Sequence, residues 1–174
     1  MKQEKQEKKK LRLSHLDSAG RARMVDVTDK QPSARMARAE ATVRLGRALA
    51  ARLRRTGSVA KGNVIETARL AGIQGAKQTA QLIPMCHNLP LDVVDVDIAI
   101  EGEIAVIRTV ARTRAVTGVE MEAMTAAAVA ALTIYDMCKA ASKGIVVESI
   151  CLLEKAGGRS GHWRREEHHR ARKT

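Results

Sequence analysis

In a few places this chain carries charged or nucleophilic side chains where packing has no use for them. The stretch GVEMEAMTAAAVAALTIYDMCKA (118–140) has Glu120 and Glu122 at its start and Asp136 and Lys139 near its end. Glutamates in a first helical turn are favoured by the helix dipole, so capping alone would account for either one. Asp136 and Lys139 are i, i+3 neighbours and could form an ordinary surface pair. Their flanking residues, Tyr135 and Met137, point instead to a buried or half-buried pair, which costs desolvation and calls for a function. A carboxylate beside an ammonium group is what general acid–base chemistry needs. At ~1.5 Å rise and ~100° turn per residue, Glu122 and Asp136 stand about 21 Å apart and about 40° around the axis. One small ligand cannot bridge both ends. Either the two ends serve different purposes, or each meets the opposite end of a symmetry-related helix, in a site shared between subunits.

Other candidates lie elsewhere in the chain. IPMCHNL (83–89) places Cys86 and His87 just after a helix end. A metal site needs further ligands at set spacings, and His15, His162, His168 and His169 lie in or near the ends of the chain. Adjacent Cys and His face one another poorly for nucleophilic catalysis. A histidine that binds or protonates a ligand is the better reading. Lys61, in VAKGN, precedes a helix start, a combination that suits a phosphate, although the P-loop spacing is missing. Lys77, in AGIQGAKQTA, is unremarkable alone. KAGGRS (155–160) could wrap a phosphate or be a flexible exit.

The elements that must position these groups follow from periodicity. MVDVT (24–28) suits a short strand or an extended arm. Residues 38–45 alternate apolar and polar as a strand does, and 47–55 show helical spacing. Residues 56–62 form a glycine-bounded loop. Asn63 can cap a helix over 64–82, which Pro84 ends. Residues 94–100 and 104–113 form a hairpin turned by 101–103. A long helix over 118–139 and a strand over 145–153 complete the order β-α-β-β-α-β. This is the ferredoxin-like plan of an α+β protein, with an antiparallel sheet and helices packed on one face.

Composition bounds the function classes. The 174 residues suit one domain. Phe is absent and Trp163 and Tyr135 are the only aromatic residues. A core of small aliphatic side chains buries little area per residue, so oligomerisation is expected to add burial. The net charge of +12 first suggests nucleic acid. However, residues 1–12 and 159–174 each hold six Lys/Arg against two acidic groups, so two thirds of the excess sits there. These segments are read as basic, flexible tails around a single catalytic domain over 13–158. Three cysteines without a CxxC pair argue against a disulfide framework and a structural zinc site. With no secretory leader and no apolar run near the ~20 residues of a membrane span, a cytoplasmic protein is expected.

MVDVT, the KGN…ARLAGIQGAK run, LIPMCHNL, TGVEMEAMTAA and LTIYDMCKA, in this order, resemble the cyclic pyranopterin monophosphate synthase family of molybdenum cofactor biosynthesis. The resemblance covers about residues 15–161. It implies conversion of (8S)-3′,8-cyclo-7,8-dihydroguanosine 5′-triphosphate to cyclic pyranopterin monophosphate and diphosphate. It also implies a ferredoxin-like fold and a hexamer, a trimer of dimers, with sites between subunits. By the same resemblance Asp136, Lys61 and Lys139 are catalytic, while Met85, Cys86, His87, Met121 and Glu122 contact substrate. Glu120, Lys77 and Lys155 are polar positions around the pocket. No cofactor is required, and Mg2+ could accompany the triphosphate. Asn88 stands where the family commonly has proline, and Arg159 where it has lysine. The rival from another class is a basic ferredoxin-like RNA-binding module, which would stack bases on aromatic side chains this chain lacks. A purely structural subunit would leave Asp136 and Lys139 unexplained. The expected partner is the small cyclised GTP intermediate, with neither membrane nor specific nucleic acid.

Overall fold

The computed structural model describes residues 20–166, so tail 1–12 and the histidines His15, His168 and His169 lie outside it. The elements run β1 (Ser33–Arg44), α1 (Arg47–Thr56), β2 (Ser58–Val59), β3 (Gly62–Asn63), α2 (Val64–Lys77), α3 (Thr79–Leu82), β4 (Val93–Glu101), β5 (Ile104–Ala115), α4 (Glu120–Cys138), β6 (Val146–Ala156) and β7 (Trp163–Arg164). The main sheet has the order β4-β5-β1-β6-β7, and every neighbouring pair is antiparallel. With α2 and α4 as the two long connections, this is the ferredoxin-like arrangement.

Small side chains set the layer spacing. Ala37, Ala39 and Ala41 of β1 and Ala123, Ala126, Ala127, Ala130 and Ala131 of α4 are fully buried. The buried Thr109 hydroxyl donates to the Ala123 carbonyl at 2.7 Å, tying β5 to α4 without an unsatisfied polar group. Helices α2 and α4 also cross closely. A Cβ at Gly75 would meet Val129 Cγ2 at 2.7 Å, and one at Gly72 would meet the Ala126 carbonyl oxygen at 2.9 Å. Only glycine permits this approach, so the lengths of α2 and α4 are locked side by side.

Several boundaries differ from expectation. β1 starts at Ser33 because β5 pairs with it as far as Ala115. The helix expected over 64–82 breaks at Gln78, where ψ rises to 8°, and resumes as α3. The 56–62 loop holds the two-residue ribbon β2–β3. Residues 24–28 form an arm and not a strand. Part of the expected C-terminal tail is ordered structure: β7 pairs Trp163 with Lys155 and Arg164 with Glu154. Arg165 extends that edge by donating its backbone N–H to the Leu153 carbonyl and its side chain to that of Leu152, both at 2.8 Å. By length and composition α4 could cross a membrane, contrary to the reading that no apolar run comes near a span. Its burial against the sheet and α2 accounts for that apolarity.

Candidate active site

Helix α4 carries functional groups at both ends, and α2 runs antiparallel beside it. The loop before α2 therefore reaches the C-terminal end of α4, and the loop after α3 reaches its N-terminal end.

At the C-terminal end, Lys61, Asp136 and Lys139 meet. Lys61 Nζ donates to Asp136 Oδ2 and to the Asp136 carbonyl, both at 3.2 Å. Lys139 Nζ lies 2.7 Å from Asp136 Oδ1. Asn63 caps α2 as expected, accepting from the Glu66 N–H at 3.0 Å, and so fixes the loop that carries Lys61. Hydrogen bonds from Lys139 and then Lys61 hold the Asp136 carboxyl below the usual aspartate range. The same contact raises the Lys139 ammonium. The buried or half-buried pair expected from the sequence is corrected here: the Asp136 side chain is 58% exposed and that of Lys139 is 54% exposed. Position 136 belongs to the outer stripe of α4, with Leu132 and Tyr135, which are exposed too.

At the N-terminal end two clefts adjoin. The larger, about 1130 Å³, is lined by Lys30, Arg35, Glu120, Lys155 and the 157–160 loop, among others. Lys155 Nζ pairs with Glu120 Oε1 at 3.2 Å and donates to Ser160 Oγ at 2.8 Å. Arg35 donates to the carbonyls of Ala115 and Val116, each at 3.4 Å. A Cβ at Gly158 would run into the Arg35 guanidinium, so glycine there leaves room for it. The smaller cleft, about 510 Å³, is lined by Met85, Cys86, His87, Met121, Glu122 and arm residues Val25 and Val27. Lys30, Thr117, Gly118 and Glu120 border both clefts.

Glu122 is only 4% exposed. Burial first, and the Glu120 charge beside it, push its carboxyl up, opposed by a backbone hydrogen bond. Burial and the Glu122 charge push the Cys86 thiol up as well, which disfavours a thiolate nucleophile. Lys77 is exposed at the end of α2 and borders neither cleft. Among the described residues no group of three or more His, Cys, Asp or Glu is placed to hold a metal ion.

The sequence reading missed Lys30 and Arg35. Lys30 follows the MVDVT motif by two residues, and the arm that bears it folds back over both clefts. Arg35 precedes the strand expected over 38–45 and falls inside the longer observed β1; no local signal marks it, because its role arises from the β1–β5 pairing. The two residues expected to share a face, Glu122 and Asp136, differ sharply in exposure: Glu122 is buried, whereas Asp136 lies on the outer stripe of α4, where the Lys61 and Lys139 side chains touch it.

The fold and these clefts define an α+β protein with a large, glycine-walled cleft lined by both basic and acidic side chains beside a smaller half-apolar one. The MoaC family model matches residues 24–158. The chain belongs to the MoaC family. It is 53% identical over 156 residues to a protein of Bordetella avium, covering 88% of this chain and 96% of that one. It is 53% identical over 157 residues to one of Thermomicrobium roseum, covering 89% and 94%. A Bordetella petrii protein is 54% identical over 156 residues, covering 88% and 96%. All three are named cyclic pyranopterin monophosphate synthase.

Proposed function

We propose that this chain is itself a cyclic pyranopterin monophosphate synthase of molybdenum cofactor biosynthesis. It converts (8S)-3′,8-cyclo-7,8-dihydroguanosine 5′-triphosphate to cyclic pyranopterin monophosphate and diphosphate, as a lyase. The observation that carries this reading is the Lys61–Asp136–Lys139 cluster on a chain of this family.

Rearranging rings needs protons delivered and removed at defined atoms. Asp136 stabilises the charged form of Lys139, which then serves as general acid, and Lys61 completes the proton relay. The departing diphosphate needs cations. Lys155, Arg159, Arg35 and Lys30 around the larger cleft neutralise it, and Ser160 adds a hydroxyl. In the smaller cleft His87, Met121 and Glu122 hold the base and sugar, with Met85 and Cys86 forming the wall. Glu120 stands between the two clefts. Mg2+ would arrive with the triphosphate, and the reading requires no resident cofactor.

The relay and the clefts occupy opposite ends of a 19-residue helix. A rise of ~1.5 Å per residue keeps them too far apart for one substrate. The proposal therefore includes an oligomer, a hexamer built as a trimer of dimers, in which one subunit's relay faces another's clefts. Lys77 would act only from such a neighbour. A cytoplasmic location without membrane or specific nucleic-acid partners goes with this reading. The RNA-binding alternative finds no support: the sole aromatic residue on the sheet is Trp163, on its two-residue edge strand.

Incubating the chain with the cyclised GTP intermediate and measuring diphosphate and pterin product tests the proposal. Wild-type protein should release both, and Lys61→Ala neither. Absence of diphosphate with the wild-type chain would overturn it.

A further inference from the structure

His87 lies at the meeting of the smaller cleft and the N-terminal arm. Its Nε2 is 2.9 Å from the carbonyl oxygen of Val25, a residue 62 positions away in sequence. The arm is held in shape at this point. Asp26 Oδ1 accepts from the Thr28 N–H at 2.9 Å and from its hydroxyl at 2.7 Å, and the Lys30 N–H donates to the Val27 carbonyl at 3.0 Å. Both His87 and Val25 are half-buried, and both line the cleft.

A carbonyl oxygen only accepts. The ring nitrogen facing it must therefore carry the proton, and in a neutral imidazole the other nitrogen is then an acceptor. We propose that the Val25 carbonyl is a positioning group that fixes His87 as its Nε2–H tautomer, leaving Nδ1 as the acceptor offered to a bound molecule. Nδ1 has no partner among the described residues. The ligand group that meets it is a donor, an N–H of the substrate's heterocycle. Phosphate oxygens without protons are refused at this nitrogen and belong beside Lys155 and Ser160 in the adjoining cleft. The ring polarity stands independently of the proposed reaction, whereas naming the donor as a heterocyclic N–H rests on it.

The tautomer is read by nitrogen NMR on the full, ligand-free chain with 15N-labelled histidine. The His87 signals are assigned by their loss in His87→Gln. The expected pattern is a single species protonated on Nε2 and bare at Nδ1. A ring protonated on Nδ1, or an averaged mixture, overturns the proposal. Two variants then separate tether from acceptor. Asn at 87 places an acceptor near the Nδ1 position and gives up the arm contact, while Gln reaches the Nε2 position and keeps it. On chains that retain the wild-type melting temperature, His87→Asn should keep a kcat/KM roughly tenfold or more above that of His87→Gln, about the effect of one buried hydrogen bond. Turnover by His87→Gln equal to or above that of His87→Asn would leave only a structural tether and sink the acceptor role. If the wild-type chain fails to turn over the intermediate, the proposed reaction falls, while the NMR result still decides the tautomer.

Discussion

Lys61 and Asp136 are 75 residues apart in sequence, yet Lys61 Nζ donates to both the carboxylate and the backbone carbonyl of Asp136. Lys139 occupies the other carboxylate oxygen. Both oxygens of one aspartate are thus engaged by ammonium groups that arrive from different elements. The contact closes the loop before α2 onto the last turn of α4. It also couples the proton affinity of Lys139 to a residue whose own charge is held by Lys61.

Asp136→Asn should lower kcat by about 100-fold or more, the usual worth of a positioned acid–base group. Lys139 loses the partner that raises it, so the alkaline limb of the rate profile should move to lower pH. The Asp136 carboxyl is depressed, so its small stabilising effect is present above the ordinary aspartate value and disappears as pH falls through the lower folded value. The group is exposed, so the melting temperature at neutral pH should stay close to wild type. Steady-state kinetics across pH, with a thermal melt alongside, check both statements.

Mixing two inactive variants tests the shared site. Lys61→Ala disables the relay end and Lys155→Ala the cleft end. If each site takes one end from each of two subunits, random re-assembly after co-refolding should restore about a quarter of wild-type activity. No recovery in assemblies shown by mass spectrometry to be mixed would mean that each chain builds its own site.

Glu122→Gln should raise the melting temperature at neutral pH. Burial raises this carboxyl, so its favourable contribution is full below the ordinary glutamate value and is lost as pH rises through the folded one. Above that value a buried charge is held against its desolvation cost, and the neutral amide removes that charge. The pH dependence of stability between mildly acidic and neutral conditions should flatten, while turnover falls. A melt series over pH, wild type against variant, measures the effect.

Gly75→Ala should destabilise the fold by about 1–3 kcal/mol, the usual cost of overpacking a close contact. The added methyl would meet Val129 Cγ2 at 2.7 Å and push α2 off α4. Because α2 spaces Lys61 from the Met85–His87 loop, activity should fall with stability. Adding Val129→Ala to this variant should restore much of both, read by denaturant midpoints and kcat.

The sequence alone determined the class of fold. Alternation over β1, β4, β5 and β6 and helical spacing over α2 and α4 are local properties, and with glycine- and asparagine-marked boundaries they sufficed for the order of elements. The charges at 120, 122, 136 and 139 were also legible, because side chains of that kind stand out in an alanine-rich helix. Pairwise geometry was not. Lys61 meets Asp136 where the start of α2 lies beside the end of α4, two helices whose close approach glycines at 72 and 75 permit, and no local pattern encodes which residue stands across that crossing. Exposure was misjudged for the same reason: apolar neighbours at 135 and 137 suggested burial for Asp136, but the sheet covers only one side of α4. Arg35, Lys30 and the Val25–His87 contact depend on strands and an arm brought together from distant parts of the chain. Hydrogen bonds and close packing act over a few ångströms in space, and only the tertiary structure decides which residues come within that range.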